Sequence, residues 1–259
     1  MTVPAISLTD PVGPDDAPLL VLGPSLGTST LLWDRVIPSL GEHYRVALWD
    51  LPGHGAAPAS TDAFTIAELA DAVAIAIDGP FLYAGVSLGG AVGLELLLRH
   101  GERIPAAAIL CSGAKIGTPD GWRDRAAQVR AQSTSSLIIG SAERWFAPGS
   151  IERDPDITGR LLHVLQNTHD ESYARCCDAL AAFDVRDRLG EIATPVLAVW
   201  GDHDAVTPEA SAREIAAGVQ RGEAIGIPDA SHLAPADSPA ATAAVLLDFF
   251  DTVAAERAA

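Results

Sequence analysis

Lysine is nearly missing from this chain: Lys115 is the only one in 259 residues, and arginine brings the basic total to just 17 against 34 acidic residues. A net charge of −17 argues against nucleic acid and anionic membrane as partners, because basic surface holds both. Cysteine is scarce as well. Cys111, Cys176 and Cys177 are odd in number and two are adjacent, which suits no disulfide framework. No C-x-x-C pairs with histidines to bind zinc, so no metal or other cofactor is expected. The three thiols read as buried groups in a reducing cytoplasm. No apolar run is long enough to span a bilayer. Residues 1–10 lack the basic stretch and apolar core of a secretory signal, so the expected location is cytoplasmic. Internal repeats and low-complexity tracts are missing too.

What the chain does have is apolar residues, 48% of the total, enough for one sizeable α/β core with an insertion. Its most informative stretch is Gly85-Val86-Ser87-Leu88-Gly89. An apolar segment, 81–84, precedes it. A helical run from Ala91 follows and stops near Gly101. A G-x-S-x-G sequence between a strand and a helix is the setting of a nucleophile elbow. There the serine adopts a strained backbone and its neighbours two residues away must lack bulk, a need that Gly85 and Gly89 meet.

Around this stretch, strands alternate with helices. Apolar segments at 19–22, 44–50, 81–84, 106–111, 195–200 and 223–227 read as strands. Segments 31–40, 63–77, 208–218 and 239–255 read as helices, with Thr65 and Glu68 spaced as a capping box. Such alternation predicts a mostly parallel, doubly wound sheet with helices on both faces and ligands bound beyond the carboxyl ends of its strands. It lapses between about 117 and 184, where the pattern is helical and holds Trp122, Trp145 and Phe146. The expected organisation is therefore an α/β core, 1–116 and 185–259, with a helical cap, 117–184, inserted over the serine.

A serine hydroxyl needs a base, and the base an orienting acid. In α/β-hydrolases the chain order is serine, acid, histidine. That order selects Ser87, then Asp204 in the loop after a strand, then His232 before the last helix. Asp202 reads as a turn-stabilising side chain. Among seven histidines, His43 lies in an exposed turn and His100 near a helix end. His163 and His169 belong to the insertion, His203 sits beside the acid, and His54 reads as structural. Two backbone N–H groups are the expected oxyanion donors: that of Leu88, at a helix start, and that of Leu26, beside Gly27 in the loop after an early strand.

With those residues in hand, the chain resembles the α/β-hydrolases, and more narrowly the bacterial 3-oxoadipate enol-lactonases. The matching stretches are Ser25-Leu26-Gly27-Thr28 with Leu32-Trp33-Asp34, the serine motif, Ala114-Lys115-Ile116-Gly117-Thr118-Pro119, Arg144-Trp145-Phe146-Ala147-Pro148-Gly149, and Cys176-Cys177-Asp178 onward. The resemblance implies hydrolysis of a small anionic lactone to 3-oxoadipate through an acyl-enzyme; whether the protein is a monomer or homodimer stays open. An anionic substrate on an acidic protein needs a local cation. Lys115, following a strand, is the expected anchor and Arg144 the alternative, with Trp122 and Trp145 as pocket walls.

Overall fold

A computed structural model describes residues 3–258. Its sheet has seven strands in the order β1-β3-β2-β4-β5-β6-β7: β1 (Ser7–Leu8), β2 (Leu19–Gly23), β3 (Arg45–Asp50), β4 (Leu82–Val86), β5 (Ala107–Leu110), β6 (Val196–Gly201) and β7 (Gly222–Ile227). β1 runs antiparallel to β3 and the remaining pairs are parallel. β2, β4 and β5 are apolar and almost wholly buried, the pattern of strands covered on both faces by crossover helices. The sheet is mostly parallel and doubly wound, as the alternation of strands and helices predicts.

The helices are α1 (Ile37–Leu40), α2 (Ile66–Ala76), α3 (Leu88–His100), α4 (Pro119–Gln132), α5 (Ile138–Trp145), α6 (Ser150–Arg153), α7 (Pro155–Asn167), α8 (Asp170–Ala182), α9 (Glu209–Gly218), α10 (Ala234–Asp237) and α11 (Pro239–Ala258). Thr65 caps α2, its hydroxyl accepting from the Glu68 N–H while the Glu68 carboxylate accepts from the Thr65 N–H. Helices α4 to α8 all fall between β5 and β6. There α4 lies along α8 and Arg130 bonds both Glu171, at 2.9 Å, and Asp178, at 2.7 Å. Among the described residues, no helix is long and apolar enough to cross a membrane.

Two local expectations need correcting. Segment 31–40 is not one helix but a 3-10 turn, Thr30–Trp33, followed by the single turn of α1. Pro38 has no N–H to donate and crowds the preceding turn, so a continuous helix cannot run through it. The edge strand β1 was not anticipated, being only two residues long and outside any apolar run.

The strand order places the site. From β2 the chain moves to one side to make β3, then returns to the other side to make β4. Loops leaving β2 and β4 therefore part in opposite directions and open a crevice at their carboxyl ends. Gly23 and Gly85 pair across these two strands, so Leu26 and Ser87, each shortly beyond, become neighbours at that crevice.

Candidate active site

Ser87 bridges β4 and α3 with φ +56° and ψ −115°, a left-handed conformation that disfavours any side chain. The surroundings hold it there. The Ser87 N–H donates to Leu110 O at 2.9 Å, and the Ser112 hydroxyl donates to Ser87 O at 2.7 Å. Close approach explains the glycines around it. A Cβ on Gly85 would run into Gly89 O, and one on Gly89 would stand 2.6 Å from Pro24 O. With those approaches open, the Gly89 N–H donates to Pro24 O at 3.0 Å and ties the serine turn to the β2 loop.

The loops after β6 and β7 bring the other two selected residues to this serine. His232 Nε2 lies 2.9 Å from Ser87 Oγ, and His232 Nδ1 lies 3.0 Å from Asp204 Oδ2. A carboxylate only accepts, so Nδ1 carries the proton and Nε2 of the neutral ring accepts from the serine hydroxyl. Ser87, Asp204 and His232 are 6%, 5% and 3% exposed. Burial alone would push the Asp204 carboxyl up; His232 outweighs it through charge and hydrogen bond, with help from Thr207, and the carboxyl lies below its ordinary value. Thr207 was not selected from the sequence, yet its hydroxyl donates to Asp204 Oδ2 at 2.7 Å and its N–H to Oδ1 at 3.1 Å. The Val206 N–H adds a 2.8 Å bond to Oδ1. Asp202 takes no part in this arrangement.

Leu26 and Leu88 stand on either side of the serine. Leu26 begins the bend at Gly27, φ +82°, which is clamped by Thr28: its hydroxyl donates to Ser25 O at 2.8 Å and accepts from the Ser25 N–H at 3.1 Å. Leu88 is the first residue of α3, where N–H groups have no helical acceptor and the dipole favours negative charge. Among the described residues, neither N–H has a protein acceptor.

A cavity of about 390 Å³ opens above Ser87 and His232, lined also by Ser25, Leu26, Trp122, Arg125, Arg144, Trp145 and Val206. Trp122, Arg144 and Trp145 are thus at the site. Lys115 is not. It forms an ion pair with Asp184 at 3.2 Å and does not line the cavity, which corrects its expected role. Asp184, the last residue of the helical insertion, takes up its charge.

Arg125, which the sequence reading passed over, lines the cavity instead. One turn beyond Trp122 on α4, it shares a helix face with that residue and sits over its ring at 5.3 Å; that spacing was its available signal. Burial, and next the charge of Arg125, hold the Arg144 guanidinium below its ordinary value. Neither arginine forms a salt bridge among the described residues. Two guanidinium groups thus converge on one cavity without carboxylates of their own.

Two other histidines have partners elsewhere. His54 is fully buried, with Nδ1 2.9 Å from Pro52 O, and burial pushes its value down to about 4. His100 pairs with Asp71 at 2.8 Å. Among the described residues, no group of three or more His, Cys, Asp or Glu is arranged to hold a metal ion.

A buried imidazole between a carboxylate and a serine, below two free backbone donors, can deprotonate the serine and stabilise a carbonyl oxygen as it gains charge. Comparison with known proteins agrees with that chemistry. A family model described as alpha/beta hydrolase fold matches residues 18–239. The 3-oxoadipate enol-lactonase 2 of Acinetobacter baylyi is 34% identical over 233 residues, 88% of this chain and 87% of that one. A pimeloyl-[acyl-carrier protein] methyl ester esterase of Neisseria meningitidis is 30% identical over 93% of this chain and 96% of its own. Among solved structures, the enol-lactonase from Burkholderia xenovorans superposes with a TM-score of 0.91 at 30% identity, covering 95% of this chain and 96% of that one.

Proposed function

From the premise that this chain belongs to the alpha/beta hydrolase fold family, we propose that it hydrolyses a small enol lactone bearing a carboxylate, with 3-oxoadipate enol-lactone as substrate and 3-oxoadipate as product. The observation that carries this reading is the pair Arg125 and Arg144, free of salt bridges, on the wall of the cavity that holds Ser87. Half-buried guanidinium groups without carboxylates call for an anionic ligand. A cavity of about 390 Å³ suits a compact one. The enol-lactonases of Acinetobacter and Burkholderia among its relatives support the same choice.

In this reading the carboxylate of the lactone rests on the two arginines and its ring carbonyl turns toward Ser87. Ser87 Oγ attacks the carbonyl carbon as His232 Nε2 takes its proton. The N–H groups of Leu26 and Leu88 hold the oxygen while it is negative. Collapse breaks the ring C–O bond, and the departing enolate oxygen receives the proton and tautomerises to a ketone. Because an enolate leaves more readily than an alkoxide, ring opening is the easier half. Water, deprotonated by His232, then attacks the acyl-enzyme and releases the diacid and the serine.

The test is ultraviolet monitoring of 3-oxoadipate enol-lactone with purified protein. Loss of the enol chromophore is expected with wild type, and a loss of roughly 10⁴-fold or more in rate with Ser87→Ala. Unchanged absorbance from a preparation that cleaves simple aryl esters would reject the lactone assignment and leave ester hydrolysis standing.

A further inference from the structure

Behind the cavity, a short run of the helical insertion is fastened to the loop that carries His232. The Leu233 N–H donates to Trp145 O at 3.0 Å, and the Ser231 hydroxyl donates to Arg144 O at 3.2 Å. At the centre of the seam is Asp237, the last residue of α10, only 6% exposed. One of its oxygens, Oδ2, accepts from two segments at once: the Ser231 N–H at 2.8 Å and the Ala147 N–H at 2.9 Å. Ser231 immediately precedes His232, and Ala147 follows Arg144 and Trp145, two cavity residues, by three and two positions.

We propose that Asp237 is a positioning residue that holds the histidine loop and the Arg144–Trp145 wall in one fixed relation, so that the base and the anion anchor address the same bound substrate. This deepens the function proposed above and rests on it for the anionic ligand. The physical case is one of competition. Burial pushes the Asp237 carboxyl up, the Ser231 N–H bond is the largest of the contacts that oppose this, and losing Oδ2 would leave both backbone donors unpaired. Nothing else between the two segments supplies such an acceptor: their remaining links are one backbone bond and one hydroxyl. A displacement near 1 Å between a reacting group and a substrate anchor costs as much as about 100-fold in rate.

The geometry also explains why an acid sits here at all. The aspartate neither lines the cavity nor touches Ser87, Asp204 or His232 by hydrogen bond. Its main-chain carbonyl meets Arg153 Nη2 at 3.3 Å and its Oδ1 is buried without a hydrogen-bond partner, so Oδ2 makes the hydrogen bonds that reach the site.

The experiment uses two p-nitrophenyl esters of similar length, one neutral and one ending in a carboxylate, with rates normalised to serine titrated by an organophosphorus reagent. For Asp237→Ala, KM for the anionic ester should rise about tenfold while KM for the neutral ester stays, and kcat per titrated serine should fall about tenfold on both. Asp237→Asn, which keeps an acceptor of the same shape, should recover most of both losses. In an Arg144→Gln background, Asp237→Ala should raise KM for the anionic ester no further. If Asp237→Ala does not fold, Ser231→Ala, which removes one hydroxyl of the same seam, should shift the same two quantities in the same direction, by less. Unchanged kcat and an unchanged KM ratio per titrated serine in either variant would overturn the proposal, as would equal KM changes on both esters. A wild-type protein indifferent to the carboxylate would count against the anionic-substrate reading instead; the kcat loss on the neutral ester still decides the role of Asp237.

Discussion

Thr207 and His232 share one oxygen of Asp204: the threonine hydroxyl donates to Oδ2 from 2.7 Å and the imidazole Nδ1 from 3.0 Å. With the Val206 and Thr207 N–H groups on Oδ1, the carboxylate has little freedom to turn, so the imidazole plane is set by a carboxylate itself held by the loop. Thr207→Val keeps the shape and deletes the donor. It removes one hydrogen bond to a charged group, on the order of 1.5–3 kcal/mol in general, part of which the remaining donors recover. We expect kcat on any ester to fall about tenfold with KM nearly constant, as steady-state kinetics on a neutral aryl ester would show. An unchanged kcat would mean that the two N–H groups orient Asp204 unaided.

The same carboxylate predicts a pH dependence of stability. Burial opposes its charge, but His232 and Thr207 hold its folded value below the ordinary one. A group depressed on folding binds fewer protons folded than unfolded. Its stabilising contribution is therefore complete above the ordinary carboxylate value, about pH 4, and fades as pH drops through the lower folded value. The gap in unfolding free energy between wild type and Asp204→Asn should narrow as pH falls below about 4. Urea titrations at stepped pH values measure this; a gap that grows on acidification would reverse the sign.

The fold and the site were not equally legible in the sequence. The fold was readable because β2, β4, β5 and β6 are short apolar runs buried on both faces, which leaves a strong local trace. Ser87, Asp204 and His232 could be nominated because each stands just past a strand, where chain order stands in for position. The cavity wall has no such rule. Arg125 and Lys115 each lie near the start of the helical insertion, and only three-dimensional packing turns the first into the cavity and sends the second to Asp184. Thr207 and Asp237 act through hydrogen bonds to segments far away or across a tight turn, and no periodicity announces such bonds. Pro38 is itself a local stop signal for a helix that begins before it.

That contrast between cations gives a prediction. Arg144→Gln removes a half-buried charge from the cavity, whereas Lys115→Met removes one side of a partly exposed ion pair, a type worth about 0–1 kcal/mol. If a guanidinium holds the substrate carboxylate, its loss costs about 1.5–3 kcal/mol, or roughly 10–100-fold in KM. Arg144→Gln should show that rise for a carboxylate-bearing ester and little change for a neutral one, while Lys115→Met leaves both KM values alone. A KM rise for the anionic ester in Lys115→Met would return the anchor to Lys115.

Glycine substitutions separate close approach from simple flexibility. At Gly89 an added Cβ would stand 2.6 Å from Pro24 O and 2.9 Å from the Gly23 carbonyl carbon, all backbone atoms of the β2 loop. Neither side can yield without moving the serine turn or the bend that carries Leu26. Gly89→Ala should therefore lower stability by about 1–3 kcal/mol, as overpacking does, and abolish most ester hydrolysis in whatever protein remains folded. Gly159, inside α7, has nothing within 4 Å of an added Cβ. Gly159→Ala should raise stability by about 0.5–1 kcal/mol through helix propensity alone with activity unchanged. Thermal melts and aryl-ester rates on the two variants give the comparison. If Gly89→Ala melted and turned over like wild type, the β2 and β4 loops would have to be loosely apposed, and the oxyanion geometry drawn from Leu26 and Leu88 would lose its footing.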